Sequence, residues 1–150
     1  MQLTPHFSLA ELTATNTGLP NTPGQDVIVH LRNLAEGLER VRPVLGGKPM
    51  LVSSGYRSPA VNKAVRGAQP DPARGKRGSC HLYGDAADFK CPAFGTPLQV
   101  ARAIHAAGIR YDQLIHEYGR WVHISFGARM RGQALTIDRL GTRAGLLPAR

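Results

Sequence analysis

One long amphipathic stretch constrains the fold most, because every other patterned segment of the chain is shorter. Its apolar residues recur at spacings of four and three, at Val27, Leu31, Leu34, Leu38 and Val41. This spacing places them on one side of an α-helix. Pro43 lacks a backbone N–H and disfavours continuation of a helix. The pattern therefore predicts an amphipathic helix from Gln25 to about Arg42.

The other patterned segments are short apolar runs and short helices. The runs have the length of β-strands and cover Met50–Ser54, Ala86–Cys91, Gln113–Glu117 and Trp121–Ser125. Short helices are predicted after Ser8, over residues 58–65 and between Thr96 and Gly108, where capping residues mark the starts. Helices that alternate with strands and a final hairpin predict an α+β fold, with a small, mainly antiparallel sheet packed with helices.

Length and charge limit the class of protein. The chain has 150 residues, which suffices for one domain with a core. No apolar run approaches the roughly 20 residues of a membrane-spanning helix, and residues 1–13 lack the features of a signal peptide. The net charge of +9 favours polyanionic partners, which include nucleic acid, anionic lipid and anionic wall polymers.

Much of the positive charge lies in two segments with weak patterning. Residues 66–80 are rich in Gly, Pro and cationic side chains and are predicted to form an exposed loop. We expect a folded domain over residues 1–127 and a basic, partly mobile C-terminal tail over residues 128–150. Cys80 and Cys91 either form one disulfide or remain two buried thiols, and the sequence does not distinguish these alternatives.

Three residues that suit zinc lie on the predicted strands or beside them: His81, Asp88 and His123. A catalytic zinc site has three ligands from His and carboxylates and leaves the fourth position to water. Asp88 follows His81 by seven residues, and His123 belongs to another strand that could pair beside Asp88. The trio is therefore a candidate zinc site.

Three motifs include or adjoin this trio. Residues 79–88 fit Ser-x-His-x-x-Gly-x-Ala-x-Asp, residues 53–58 read Ser-Ser-Gly-Tyr-Arg-Ser, and residues 121–123 read Trp-Val-His. Together they resemble the zinc D-alanyl-D-alanine carboxypeptidase family, peptidoglycan metallopeptidases of bacteria and phages that share a fold with the hedgehog signalling domain. The resemblance covers residues 7–125 and implies a hedgehog-like peptidase domain.

The resemblance also implies roles for individual residues. One catalytic zinc ion would be bound by His81, Asp88 and His123. Arg57 would hold a substrate carboxylate or the carbonyl oxygen as it gains charge. Ser79 would line the cleft and hydrogen-bond the peptide, and Trp121 suits both core packing and contact with substrate.

The general base is where the chain departs from the best-known members of that family. They place a Glu three residues before the last His, and that position is Arg120 here. Some carboxylate must accept a proton from water, so we predict that Glu117 is the base. Asp112 and His116 are the fallback candidates.

The turn between the last two predicted strands decides whether Glu117 fits this role. A three-residue loop over 118–120 would place Glu117 opposite Trp121 and on the same face as His123. A two-residue loop over 119–120 would turn Glu117 to the other face, and the assignment would fail.

These expectations favour a zinc-dependent peptidase that hydrolyses an amide bond in the peptide stem of peptidoglycan. It would be a D-Ala-D-Ala carboxypeptidase or an L-Ala-D-Glu type endopeptidase, similar to an endolysin. The alternative is a non-catalytic, zinc-containing module that binds the cell wall. A nucleic-acid-binding domain is disfavoured because aromatic residues make up only 6% of the chain and no recognition-helix pattern occurs.

The expected partners and location follow from the same interpretation. We expect a monomer that contacts peptidoglycan stem peptides and a further partner among anionic wall polymers, without nucleic acid or a membrane span. The lack of a signal peptide suits a phage protein that stays in the host cytoplasm before release to the cell wall, or one that is associated with the virion.

Overall fold

The computed structural model describes residues 1–150 and contains four α-helices and eight β-strands. In chain order these are β1 (Gln2–Thr4), β2 (Phe7–Ser8), α1 (Leu9–Leu12), α2 (Gln25–Val44), β3 (Leu51–Ser54), α3 (Pro59–Ala64), β4 (Ala86–Lys90), α4 (Pro97–Ala106), β5 (Gln113–Glu117), β6 (Trp121–Ser125), β7 (Gln133–Asp138) and β8 (Gly141–Ala144). β1 and β2 pair with each other, and the other six strands form one sheet in the order β3-β4-β6-β5-β7-β8. Within this sheet only β5 and β7 are parallel. The predicted α+β fold with a mainly antiparallel sheet is confirmed.

Helix α2 has the predicted amphipathic character. Its residues Leu31, Leu34, Leu38 and Val41 are fully buried and belong to the main core. The helix ends at Val44, two residues beyond the predicted end. Pro43 removes only one N–H donor, and the N–H of Leu45 still reaches the carbonyls of Val41 and Arg42. A proline in the last turn therefore shortens the hydrogen-bond ladder without ending the helix before it.

The three short helices begin at the predicted capping side chains. The Ser8 hydroxyl accepts the N–H of Glu11 in α1, Ser58 accepts that of Val61 in α3, and Thr96 accepts that of Gln99 in α4. In α4 the Gln99 side chain also accepts the N–H of Thr96, which completes a capping box. Satisfied N–H groups at the helix starts explain why such brief elements form.

The central strands have one face in the core and one face toward a cleft. The core face of β4 and β6 consists of Ala87, Phe89, Val122 and Ile124, all fully buried. Successive side chains alternate across a strand, so Asp88 and His123 point to the opposite face. This alternation separates the residues that stabilise the sheet from the residues that suit chemistry.

The C-terminal segment differs from the predicted mobile tail. Residues 133–144 form β7 and β8, which extend the sheet beyond β5. Thr136 and Asp138 on β7 are buried although they are polar, because the C-terminal residues satisfy them. The Thr136 hydroxyl donates to Gly145 O and accepts the N–H of Leu147, and Arg150 contacts the Asp138 carboxylate. A strand buried through polar contacts lacks the apolar pattern on which the prediction depended.

The remaining expectations about the chain concern cysteines and membrane helices. Cys80 and Cys91 are free thiols, and both are buried. Of the two alternatives for the cysteines, the structure therefore has the pair of buried thiols. None of the helices combines the length and the apolar character needed to cross a bilayer.

Candidate active site

Strand pairing brings the three predicted metal ligands together. Asp88 of β4 is directly opposite His123 of β6 in the antiparallel register. His81 lies in a 3₁₀ turn, Cys80–Tyr83, which ends just before β4. Gly84 closes this turn with a positive φ of 76°, a backbone conformation that glycine adopts without strain. The turn thereby returns His81 to the face that carries Asp88 and His123.

The three side chains form one compact, buried cluster. One ligand atom from each of His81, Asp88 and His123 lies within 4.8 Å of the others. The Asp88 Oδ1 atom is 3.3 Å from His81 Nε2 and 3.1 Å from His123 Nδ1. Two imidazole nitrogens and one carboxylate oxygen are the donor set of a catalytic zinc site.

A backbone hydrogen bond orients the His81 ring. Its Nδ1–H donates to Gly55 O over 2.7 Å, because a carbonyl oxygen can only accept. The lone pair of Nε2 is then directed to the cluster, as in metal-ligating histidines. A Cβ atom at position 55 would collide with the Leu12 carbonyl, so this close packing requires glycine. The Gly in the Ser-Gly-Tyr-Arg motif therefore places the carbonyl that orients a ligand.

The pKa shifts of the three side chains are also compatible with binding of a metal ion. Burial opposes ionisation of Asp88, but His81 and His123 outweigh it and hold the pKa of the carboxyl well below its usual range. Burial lowers the pKa of His81 and keeps its imidazole neutral. Burial also lowers the pKa of His123, but the hydrogen bond and charge of Asp88 more than compensate and raise it. A metal ion bound at His123 would displace the proton from the coordinating ring nitrogen, because a nitrogen must be deprotonated to bind a metal.

Glu117 lies beside this cluster at the end of β5. The register pairs Glu117 with Trp121, so residues 118–120 form the three-residue loop of the favourable alternative. Glu117 Oε1 lies 3.8 Å from His123 Nδ1. Burial raises the pKa of this carboxyl, and the negative charge of Asp88 adds to the effect. Glu117 is therefore a carboxylate beside the three predicted metal ligands.

The two fallback candidates for the base lie elsewhere. Asp112 precedes β5 and accepts two hydrogen bonds from the Arg131 guanidinium, at 2.7 and 2.9 Å. His116 points to the opposite face of β5 from Glu117, and its Nδ1 is 2.9 Å from Leu147 O. Neither side chain is part of the His81–Asp88–His123 cluster.

Arg57 contacts the cluster through Asp88. Its Nη2 donates to Asp88 Oδ2 over 3.2 Å, and its Nε donates to the Ser54 hydroxyl over 3.1 Å. Nη1 lies at 3.5 Å from Asn62 Oδ1. A guanidinium has five N–H donors, so two remain for a substrate oxygen. Sequence reasoning did not identify Asn62, a fully buried amide in a short helix.

A cleft of about 820 Å³ is lined by Arg57, Glu117 and the His81–Asp88–His123 cluster. Ser79 and Trp121 are also in its lining, as is the basic loop before Ser79. The Ser79 hydroxyl accepts the N–H of His81 and caps the 3₁₀ turn. Strands β7 and β8 add Leu135, Ile137 and Thr142, which no sequence signal predicted. The lining of the cleft therefore includes residues outside the three motifs.

The fold and the cluster define an α+β protein with a possible metal site in an open cleft. The sequence profile described as Peptidase M15 matches residues 5–125. The chain therefore belongs to the Peptidase M15 family. This membership supports its assignment to the metallopeptidases as a class. A search of the curated proteins finds no match to this chain.

Proposed function

We propose that this chain is a zinc-dependent peptidase that hydrolyses an amide bond in the peptide stem of bacterial peptidoglycan. The observation that carries the proposal is the close approach of a carboxylate, Glu117, to the buried His81–Asp88–His123 cluster. The Peptidase M15 match over most of the chain supports the same class of reaction. His81, Asp88 and His123 would bind one zinc ion.

A bound zinc ion would supply the Lewis acid that polarises the scissile carbonyl and makes water more acidic. Glu117 would accept a proton from the attacking water at its carboxylate and then deliver it to the leaving amine nitrogen. Its raised pKa suits this exchange, because a general base works best when its pKa approaches the operating pH.

Three other residues would hold the substrate. Arg57 would donate its two remaining N–H groups to a carboxylate or to the carbonyl oxygen of the scissile amide. The Ser79 hydroxyl would donate a hydrogen bond to the peptide backbone. Trp121, half-buried beside Glu117 on the hairpin, would contact the peptide with its ring.

The bond would be that of a D-Ala-D-Ala carboxypeptidase or an L-Ala-D-Glu type endopeptidase. An endolysin-like role for a monomeric phage protein, released from the host cytoplasm to the wall or associated with the virion, stays a prediction. The position of Glu117 favours hydrolysis over the alternative of a zinc-containing module that only binds the wall, because such a module needs no proton acceptor beside the cluster.

Mass spectrometry of purified peptidoglycan tests this function. Incubation with the protein is expected to produce new peptide ends whose masses identify the bond, and a zinc chelator is expected to prevent them. Readdition of zinc should restore the products. Intact muropeptides from several wall chemistries, with zinc bound to the protein, would instead indicate the binding module.

A further inference from the structure

The cleft contains more positive charge than the protein itself neutralises. On its loop side, Arg66, Lys76 and Arg77 line the cleft, and none of them forms an ion pair. Two further cations of the lining, Arg129 and Arg131, share one carboxylate, that of Asp112. A ligand in this cleft therefore meets an excess of cationic groups outside the metal cluster.

Arg129 and Arg131 are not equivalent. Arg131 makes a two-pronged contact with Asp112, at 2.7 and 2.9 Å. The nearest Arg129 nitrogen is 3.9 Å from the same carboxylate, which exceeds hydrogen-bond distance. The Arg129 side chain is also 42% exposed. Asp112 is thus satisfied by Arg131, and the Arg129 guanidinium retains its capacity to bind another anion.

The segment that carries Arg129 is held in place by its neighbours. The N–H of Arg131 donates to Asp112 Oδ1, and the N–H of Gly132 donates to Tyr111 O. Within the segment, the N–H of Met130 donates to Gly127 O and closes a turn around Arg129. A cation presented on a fixed turn loses less conformational entropy when it binds a ligand.

Arg129 lines the same cleft as His81, Asp88 and His123. Its Nη2 lies 3.9 Å from Sγ of Cys80, the residue before His81. Arg129 follows the Ser125 end of β6, whereas Glu117 and Trp121 lie at the hairpin end. Arg129 and the three residues of the cluster line the same cleft, so a peptide bound there can meet both.

We infer that Arg129 binds a free carboxylate of the substrate peptide, and that the enzyme therefore prefers stem peptides with that carboxylate over peptides in which it is amidated. This inference rests on the proposed peptidase function. A peptide carboxylate is favoured over an anionic wall polymer because Arg129 faces the same cleft as the cluster. Arg77, whose guanidinium lies 4.4 Å from the centre of the Tyr83 ring, adds a second cation on the loop side.

Two synthetic stem peptides that differ only in one carboxylate or carboxamide test the inference. The wild-type protein is expected to cleave the carboxylate form with a kcat/KM about tenfold higher, as expected for one charge-assisted hydrogen bond. Arg129→Gln should remove this preference, because kcat/KM for the carboxylate form should fall to that for the amidated form. Arg129→Lys should retain part of it, because the charge remains.

Arg74→Gln is the matched control. Arg74 is in the same basic loop as Arg77, has a side chain that is 77% exposed, and does not line the cleft. This variant should keep the full preference. An equal loss in Arg74→Gln and Arg129→Gln would overturn the inference, because the effect would then be one of net charge. A loss in Arg129→Gln limited to adsorption on walls rich in anionic polymer would overturn it as well.

Binding of the same two peptides separates this inference from the proposed function. Calorimetry with Glu117→Gln protein should give about tenfold tighter binding of the carboxylate form, and the added Arg129→Gln change should abolish the difference. If neither peptide is cleaved by the wild type, the proposed function fails, yet an Arg129-dependent difference in binding still supports the subsite. Equal binding of both forms would overturn the subsite even if cleavage occurs.

Discussion

Asp88 and Asp112 are both buried, ionised carboxylates near the same sheet, but their partners differ. Asp112 is paired with Arg131, whose guanidinium is permanently charged and meets both carboxylate oxygens. Asp88 contacts Arg57 with one oxygen and directs the other to two histidines. Both carboxyls have a pKa below the usual range of an aspartate.

The difference between the partners separates a structural carboxylate from a proposed metal ligand. Arg131 meets both oxygens of Asp112 with its guanidinium and adds its backbone N–H, so this carboxylate is satisfied within the protein. Each histidine beside Asp88 offers one ring nitrogen that could bind a metal ion, and these nitrogens and the carboxylate oxygen lie within 4.8 Å of one another. Removal of Asp88 should therefore affect function, whereas removal of Asp112 should affect stability.

The largest effect is expected for Asp88→Asn. Loss of the charged ligand should lower kcat/KM for peptidoglycan peptides by at least about a thousandfold, because the Lewis acid contributes several kcal/mol to catalysis. Zinc content measured by mass spectrometry should fall in parallel. Full activity in this variant would contradict the assignment of Asp88 as a ligand.

Glu117→Gln sharpens the distinction between binding a metal and using it. We expect hydrolysis to fall by about a hundredfold or more, because the amide cannot accept the proton. Zinc content should stay at the wild-type value, since Glu117 is outside the cluster of three ligands. Peptide cleavage at the wild-type rate would transfer the role of base to another group.

Asp112→Asn should lower the stability of the protein and leave its zinc content unchanged, the opposite of the effects expected for Asp88→Asn. The free energy of unfolding is expected to decrease by about 2 kcal/mol, because the charged hydrogen bonds to Arg131 are lost. Urea denaturation of the zinc-free proteins measures this change. Zinc content should not change. A loss of zinc in this variant would contradict the distinction between a structural Asp112 and a metal-binding Asp88.

The smallest effect is a dependence of stability on pH. Burial opposes ionisation of Asp112, but Arg131 outweighs it and lowers the pKa of Asp112 in the folded protein. The unfolded state therefore binds more protons, so the contribution of this pair is present above about pH 4 and is lost as the pH falls further. The difference in unfolding free energy between wild type and Asp112→Asn should narrow from pH 6 to pH 3. A constant difference would mean that the pair does not lower this pKa.

Much of the fold could be predicted because its signals are local. The apolar stripe of α2 lies within one helix. The capping residues Ser8, Ser58 and Thr96 each act on the first turn of their own helix. Strands β7 and β8 could not be predicted, because burial of Thr136 and Asp138 depends on contacts with residues near the C-terminus. Hydrogen bonds between polar groups that are distant in sequence produce no periodic pattern of apolar residues.

The three residues of the candidate metal site could be predicted, whereas several residues around them could not. The resemblance of three motifs to a zinc peptidase family implied that His81, Asp88 and His123 form one site. The pairing of β4 with β6 and the turn before β4 bring the three residues together. Glu117 depended on the length of one turn, which the sequence left open between two alternatives. Asn62 and Arg129 were not identified because neither belongs to a motif. Asn62 contacts Arg57 from the short helix α3, and Arg129 reaches the cleft from the segment after β6.

Crystals of the wild-type protein with zinc, measured at the zinc absorption edge, test the central claim most directly. We predict one strong anomalous peak in contact with His81, Asp88 and His123. The absence of a peak at this cluster, with zinc bound at other residues or not at all, would contradict the assignment of a zinc peptidase.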